Sequence, residues 1–169
     1  MSAQRVFFYV QHLLGIGHIA RASRIANALE ADGFDVTVVT GGLAVAGFPA
    51  TGLKTVALPP VVASNAGFSG LADERGVAVD QDFLDRRRDL LLQAFHDARP
   101  DVVIIEAFPF GRRQMRFELL PLIEAIEASN PRPKLLSSVR DILQENRKAG
   151  RDAETVESGT RAAAAGGFT

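Results

Sequence analysis

The chain has 169 residues, 47% hydrophobic and 23% charged, with a net charge of −1 and no cysteine. That length suits one domain with a real core, and the near-neutral balance gives no bulk reason to expect nucleic acid or an anionic membrane as partner. Disulfides and thiolate metal sites are excluded, and no apolar run approaches the ~20 residues that span a bilayer. Arg5 to Val10 is near-continuously apolar, as strands buried on both faces of a parallel sheet are. It leaves no room for a signal peptide, so the cytoplasm is the expected compartment.

A glycine turn, Gly15-Ile16-Gly17-His18, follows this strand. A helix is predicted from about His18 to Ala31, with Ile19, Ala22, Ile25, Ala26 and Leu29 at helical spacing and Asp32-Gly33 as its stop. Val36 to Thr40 reads as the second strand, and Lys54 to Leu58 as a short third one. Pro59 to Arg75 is rich in Gly, Ala, Ser and Pro without a sustained period, which predicts a long mobile loop with no core pattern. Val79 to Ala98 reads as a helix with Leu84, Leu91, Phe95 and Ala98 as its apolar stripe. Within it Arg86-Arg87-Arg88 alternate with Asp85 and Asp89, the look of a solvated face without a role.

Asp101 to Glu106 is the next buried strand, and a helix follows from about Gln114 to Ala128, with a kink or restart expected at Pro121. Lys134 to Val139 is a fifth strand. Strands alternating with helices predict an α/β, Rossmann-like parallel sheet with helices on both faces. No internal repeat is visible. Residues 1–157 form the predicted domain, and 158–169, with its run of alanines and glycines, reads as a disordered or expression-derived tail.

Gly15, Gly17 and His18, then Arg21, Ile25, Ala26 and Leu29, then the strand Gly33-Phe34-Asp35-Val36-Thr37-Val38-Val39-Thr40, carry a resemblance. The arrangement resembles the N-terminal domain of GT-B-fold glycosyltransferases, particularly the MurG-like, family 28-like branch. Glu106 to Arg112 and Ser138 to Ile142 look similar to later segments of such enzymes, so the likeness covers roughly residues 5–156. It implies one half of a GT-B architecture, the half that binds a hydroxyl acceptor, whether a sugar or a lipid-linked group. A second Rossmann-like domain, in cis or on a partner subunit, is then expected to hold the nucleotide-sugar donor. No cofactor and no metal are implied, and peripheral membrane contact is compatible with the lipid-glycosylating branch. Two other readings share the scaffold: a nucleotide-sugar epimerase-like domain, and a non-catalytic Rossmann-like module that binds a partner subunit.

Ligands of open α/β sheets bind beyond the carboxyl ends of the strands, where His12 to His18, the loop after Thr40, Glu106 to Arg113 and Arg140-Asp141 all emerge. His18 is the candidate catalytic base, because attack by a hydroxyl on an anomeric carbon needs a proton acceptor near neutral pH. The bland alternative is a helix cap. Glu106 ends an apolar strand; it either orients His18 or binds an acceptor hydroxyl, or it pairs with Arg112 or Arg113. Gly15, Gly17, Arg21, Glu106, Arg112, Arg140 and Asp141 complete the candidate acceptor site. His12 reads as a loop residue, and His96 as a surface or boundary histidine. Gly15-x-Gly17-x-x-Ala20 formally satisfies a dinucleotide motif, but the second strand ends Thr40-Gly41-Gly42 without the acid that holds a ribose.

Overall fold

Continuous apolar sequence in Arg5 to Val10 makes this strand the centre of the sheet, since only a central position covers both of its faces. The computed structural model describes residues 3–13, 15–50, 52–65 and 69–139. Five parallel strands, β1 (Arg5–Val10), β2 (Asp35–Thr40), β3 (Lys54–Ala57), β6 (Val102–Glu106) and β7 (Lys134–Ser138), stand in the order β3-β2-β1-β6-β7. A short antiparallel pair, β4 (Val62–Ala63) and β5 (Leu71–Ala72), lies between β3 and β6 in the chain.

Alternation along β1 divides the core in two. Val6, Phe8 and Val10 face helix α1 (Gly17–Ala31) through Ile19, Ala22 and Ala26, and the two alanines let the helix lie close. Phe7 and Tyr9 face the other layer, made by α2 (Gln81–Ala98) and α3 (Arg116–Ala128). Helices therefore cover both faces of the sheet, as the sequence predicts. Glycine at position 33 has a φ of +90°, and the amides of Gly33 and Phe34 close the end of α1 on Glu30 and Leu29 carbonyls. Asp80 caps α2 by accepting from the Phe83 amide at 2.8 Å.

Three expectations are corrected. Residues 59–75 do carry core contacts: Val61, Leu71 and Ala72 are buried, and the Val61 amide bonds the Gly41 carbonyl. Two-residue strands are too short to leave a period in the sequence. The second correction is Arg87, which is not on a solvated face but fully buried. The third is the restart at Pro121: α3 runs through that residue as one helix, preceded by a 3-10 turn at Arg113–Met115. Arg140, Asp141 and the 158–169 tail lie outside the described residues.

Candidate active site

The two central strands β1 and β6 are neighbours, so the chain segments leaving their carboxyl ends meet. One is the turn into α1, which sets His18 in the first helical turn; the other is Glu106 itself, the last residue of β6. His18 Nδ1 lies 3.2 Å from Glu106 Oε1, across 88 positions of sequence. The helix N-cap is Ile16, with no side-chain capping bond, so the ring is not a cap. With Nδ1–H donating to the carboxylate, the lone pair rests on Nε2, for which no partner exists among the described residues. The His18 side chain keeps 19% exposure while that of Glu106 is fully buried.

Arg21, one turn along α1, donates to the same Glu106 oxygen at 3.4 Å and to the Val139 carbonyl at 2.9 Å. Glu106 thus pairs with His18 and Arg21 rather than with Arg112 or Arg113. Burial pushes its carboxyl upward, but the His18 hydrogen bond, the nearby Ser138 hydroxyl and the charge of Arg21 outweigh that and hold it below its ordinary value. The Ser138 contact falls short of hydrogen-bond geometry, so Glu106 Oε2 and Ser138 Oγ are unpartnered among the described residues.

Arg112 sits at a φ of 62° and donates from Nε to the Gln11 carbonyl at 2.7 Å, bracing the stretch that leads to His18. Gly15 has a φ of +65°, yet a Cβ there would meet nothing within 4 Å. Its backbone angle requires glycine, not a close approach by ligand. Gly17 is the first residue of α1 and exposed. His12 is buried against Gly42, and burial lowers its pKa.

Past the ends of β1, β2 and β3 lies a polar cluster that the sequence did not disclose. The guanidinium of Arg87 forks onto Glu118, Nε to Oε2 at 2.8 Å and Nη2 to Oε1 at 3.0 Å. Nη1 donates to the carbonyls of Gly41, at 3.0 Å, and of Pro59; Nη2 also donates to Gln11 Oε1 at 2.6 Å. The Tyr9 hydroxyl completes the set on Glu118 Oε1. Tyr9, Gln11, Arg87 and Glu118 are all fully buried. A signal was present: Arg87 lies three residues after Leu84 and four before Leu91, on the buried stripe of α2. Glu118 stands likewise between Met115 and Leu122.

This cluster bears on the dinucleotide motif. A Cβ at Gly41 would come within 2.1 Å of Arg87 Nη2 and 2.2 Å of Gln11 Oε1, and one at Gly42 within 2.5 Å of His12. The end of β2, where a ribose would rest, is packed by the chain's own side chains. Among the described residues, no group of three or more potential ligands could hold a metal. A cavity of about 650 Å³ does exist at the opposite, amino-terminal edge, lined by Arg5, Asp35, Lys54 and Asp97 among others. Arg5 and Lys54 are spent there on Asp101 and Asp35, and neither residue of the dyad lines it.

No protein-family model and no curated protein matches this sequence. Solved structures do. SsfS6, a glycosyltransferase of Streptomyces sp. SF2575, superposes with a TM-score of 0.53 at 15% identity over 95% of this chain and 45% of that one. The spinosyn forosaminyltransferase SpnP gives 0.52 at 15% identity, over 98% and 44%. The fold is α/β and Rossmann-like, and it matches one half of the GT-B architecture of these structures. The likeness reaches the GT-B fold and not the MurG-like branch in particular. This chain spans less than half the length of those two structures.

In this GT-B half the depressed Glu106 carboxyl makes a pH prediction. A carboxyl whose pKa falls on folding stabilises fully above its unfolded value, ordinarily near 4.5, and loses that contribution as pH drops through the folded value. Melting temperature followed downward from neutral pH should therefore fall less steeply below about pH 5 in Glu106→Gln than in the parent chain. Equal acid limbs in both would show that Glu106 gains nothing from its partners.

Proposed function

We propose that the chain is the acceptor-side half of a glycosyltransferase, with His18 as general base. The observation that carries this reading is the His18–Glu106 pair at the carboxyl edge of a GT-B half. A sugar or lipid-linked hydroxyl approaching Nε2 gives up its proton there as its oxygen attacks the anomeric carbon of a nucleotide sugar. The carbon–oxygen bond to the nucleoside diphosphate breaks on the far side, so the anomeric centre inverts. Glu106 holds the ring in the required tautomer and balances the imidazolium as it forms. Arg21 and Arg112 keep the acid and the preceding stretch in place.

The surroundings support an acceptor or a second domain at this edge. Four exposed large apolar side chains, Ile16, Leu43, Phe110 and Val139, all lie on segments just past strand ends there. No described helix is long and apolar enough to cross a membrane, and contact with lipid-linked acceptors would be peripheral.

The donor contacts belong to the second domain in this reading, so the chain alone should bind nucleotide sugar weakly or not at all. Calorimetry with UDP-glucose and with NAD is the test. Millimolar or undetectable affinity for both is expected, on the order of −4 kcal/mol or weaker. Micromolar binding of UDP-glucose would move the donor site onto this half; micromolar binding of NAD would restore the dinucleotide reading.

A further inference from the structure

All five N–H donors of the Arg87 guanidinium are used. Only two go to its counter-ion, Glu118. The other three go to Gln11, Gly41 and Pro59, which follow the carboxyl ends of β1, β2 and β3. Burial alone requires a partner for every donor; what is particular here is that the three not spent on the counter-ion all fall just past strand ends on the carboxyl edge. The pattern continues outward: Gln11 Nε2 donates to its neighbour's carbonyl at His12, at 2.8 Å, and to the Val61 carbonyl at 3.4 Å. From the other side Arg112 holds the Gln11 carbonyl. The stretch that enters the Gly15–Gly17 turn is therefore gripped on both sides, a few residues before His18.

Gly41 supplies a second, independent sign. Its missing Cβ is what lets Arg87 and Gln11 converge on the end of β2. Neither side chain can simply swing aside, because both are fully buried and every guanidinium donor is committed.

We infer that Arg87 and Gln11 form a positioning clamp for the base: they hold the β1–α1 connection so that the His18 ring meets Glu106 and presents Nε2 to the acceptor. The inference rests on the reading of His18 as the base. It assigns no chemical step to Arg87 or Gln11; both act through the loop. A fixed backbone keeps the ring in one tautomer and one orientation, whereas a loosened one lets His18 leave the carboxylate and exchange its ring proton between nitrogens.

The test uses the 169-residue chain and needs no turnover. Nitrogen-15 NMR separates the two ring nitrogens of a histidine held in one neutral tautomer and averages them when tautomers mix. Gln11→Met removes the link between Arg87 and the loop but leaves the Arg87–Glu118 pair intact. In that variant, measured well below its melting temperature at neutral pH, the two His18 shifts should converge. Amide exchange at His12, Leu13 and Ile16 should rise about tenfold over that of β6. If Gln11→Met does not fold, Gln11→Leu, of similar volume and without charge, removes the same bonds and carries the same expectation.

Glu106→Gln serves as the control. Shifts that stay apart in the Gln11 variant but converge in Glu106→Gln overturn the clamp and leave the dyad standing. Shifts already averaged in the parent chain overturn the dyad, and the clamp with it.

Discussion

His18→Ala in the complete enzyme should lower turnover by about 10²–10⁴-fold, the usual worth of a positioned general base. On the proposed reading the loss should fall on kcat, because a general base takes its proton only as the new bond forms. Folding should barely change: the ring is partly exposed and, among the described residues, makes one polar contact, to Glu106. A capping role would have predicted the reverse, about 0.5–2 kcal/mol of stability and unchanged turnover of the folded fraction. The geometry already departs from that case, since Ile16 occupies the cap. Steady-state kinetics and a thermal melt on one variant measure both quantities. Turnover within about threefold of the parent would remove His18 from the chemistry, since a positioned base is worth at least about 10²-fold.

The largest stability effect is expected at Glu118→Ala. It leaves the Arg87 guanidinium buried without its counter-ion, and breaking a buried pair from one side costs about 3–5 kcal/mol. Tyr9 loses its hydrogen-bond partner in the same change. Removing both charges is different in kind. Arg87→Met with Glu118→Leu takes away the desolvation penalty along with the attraction, so much of the loss should return. The double variant still lacks the bonds to Gly41, Pro59 and Gln11, so its recovery should be in stability and not in the order of the loops. Urea unfolding of the single and double variants supplies the comparison. A single variant within about 1 kcal/mol of the parent would mean that water reaches and solvates Arg87.

The fold was legible because its main signals are periodic. The apolar run of β1, the helical spacing of Ile19, Ala22 and Ala26, and the apolar strand ending at Glu106 each declared an element within its own segment. Parallel alternation then put the ends of β1 and β6 on one edge, and with them His18 and Glu106. Arg87 and Glu118 were hidden for a simple reason: charge is the strongest local sign of exposure, and each overrode a stripe position that pointed inward. Their partners stand 28 to 109 residues away, which no local pattern reports. The core contacts of the 59–75 segment escape local reading for another reason: Leu71 sits in a strand of two residues, and Val61, just before another, is held by the Gly41 carbonyl.

One guanidinium shared by three strand ends makes those loops a single heritable unit. Substitutions at Gln11, Gly41 or Pro59 should combine non-additively, as residues with a common partner do. Grafting one of these loops from another protein of this fold would carry a hidden requirement. A β1–α1 loop without an acceptor at position 11, or a β2 loop with any side chain at position 41, would strand Arg87 and disturb the two loops left untouched. Chimeras built on this half should succeed when the three loops travel together and fail when they are exchanged one at a time.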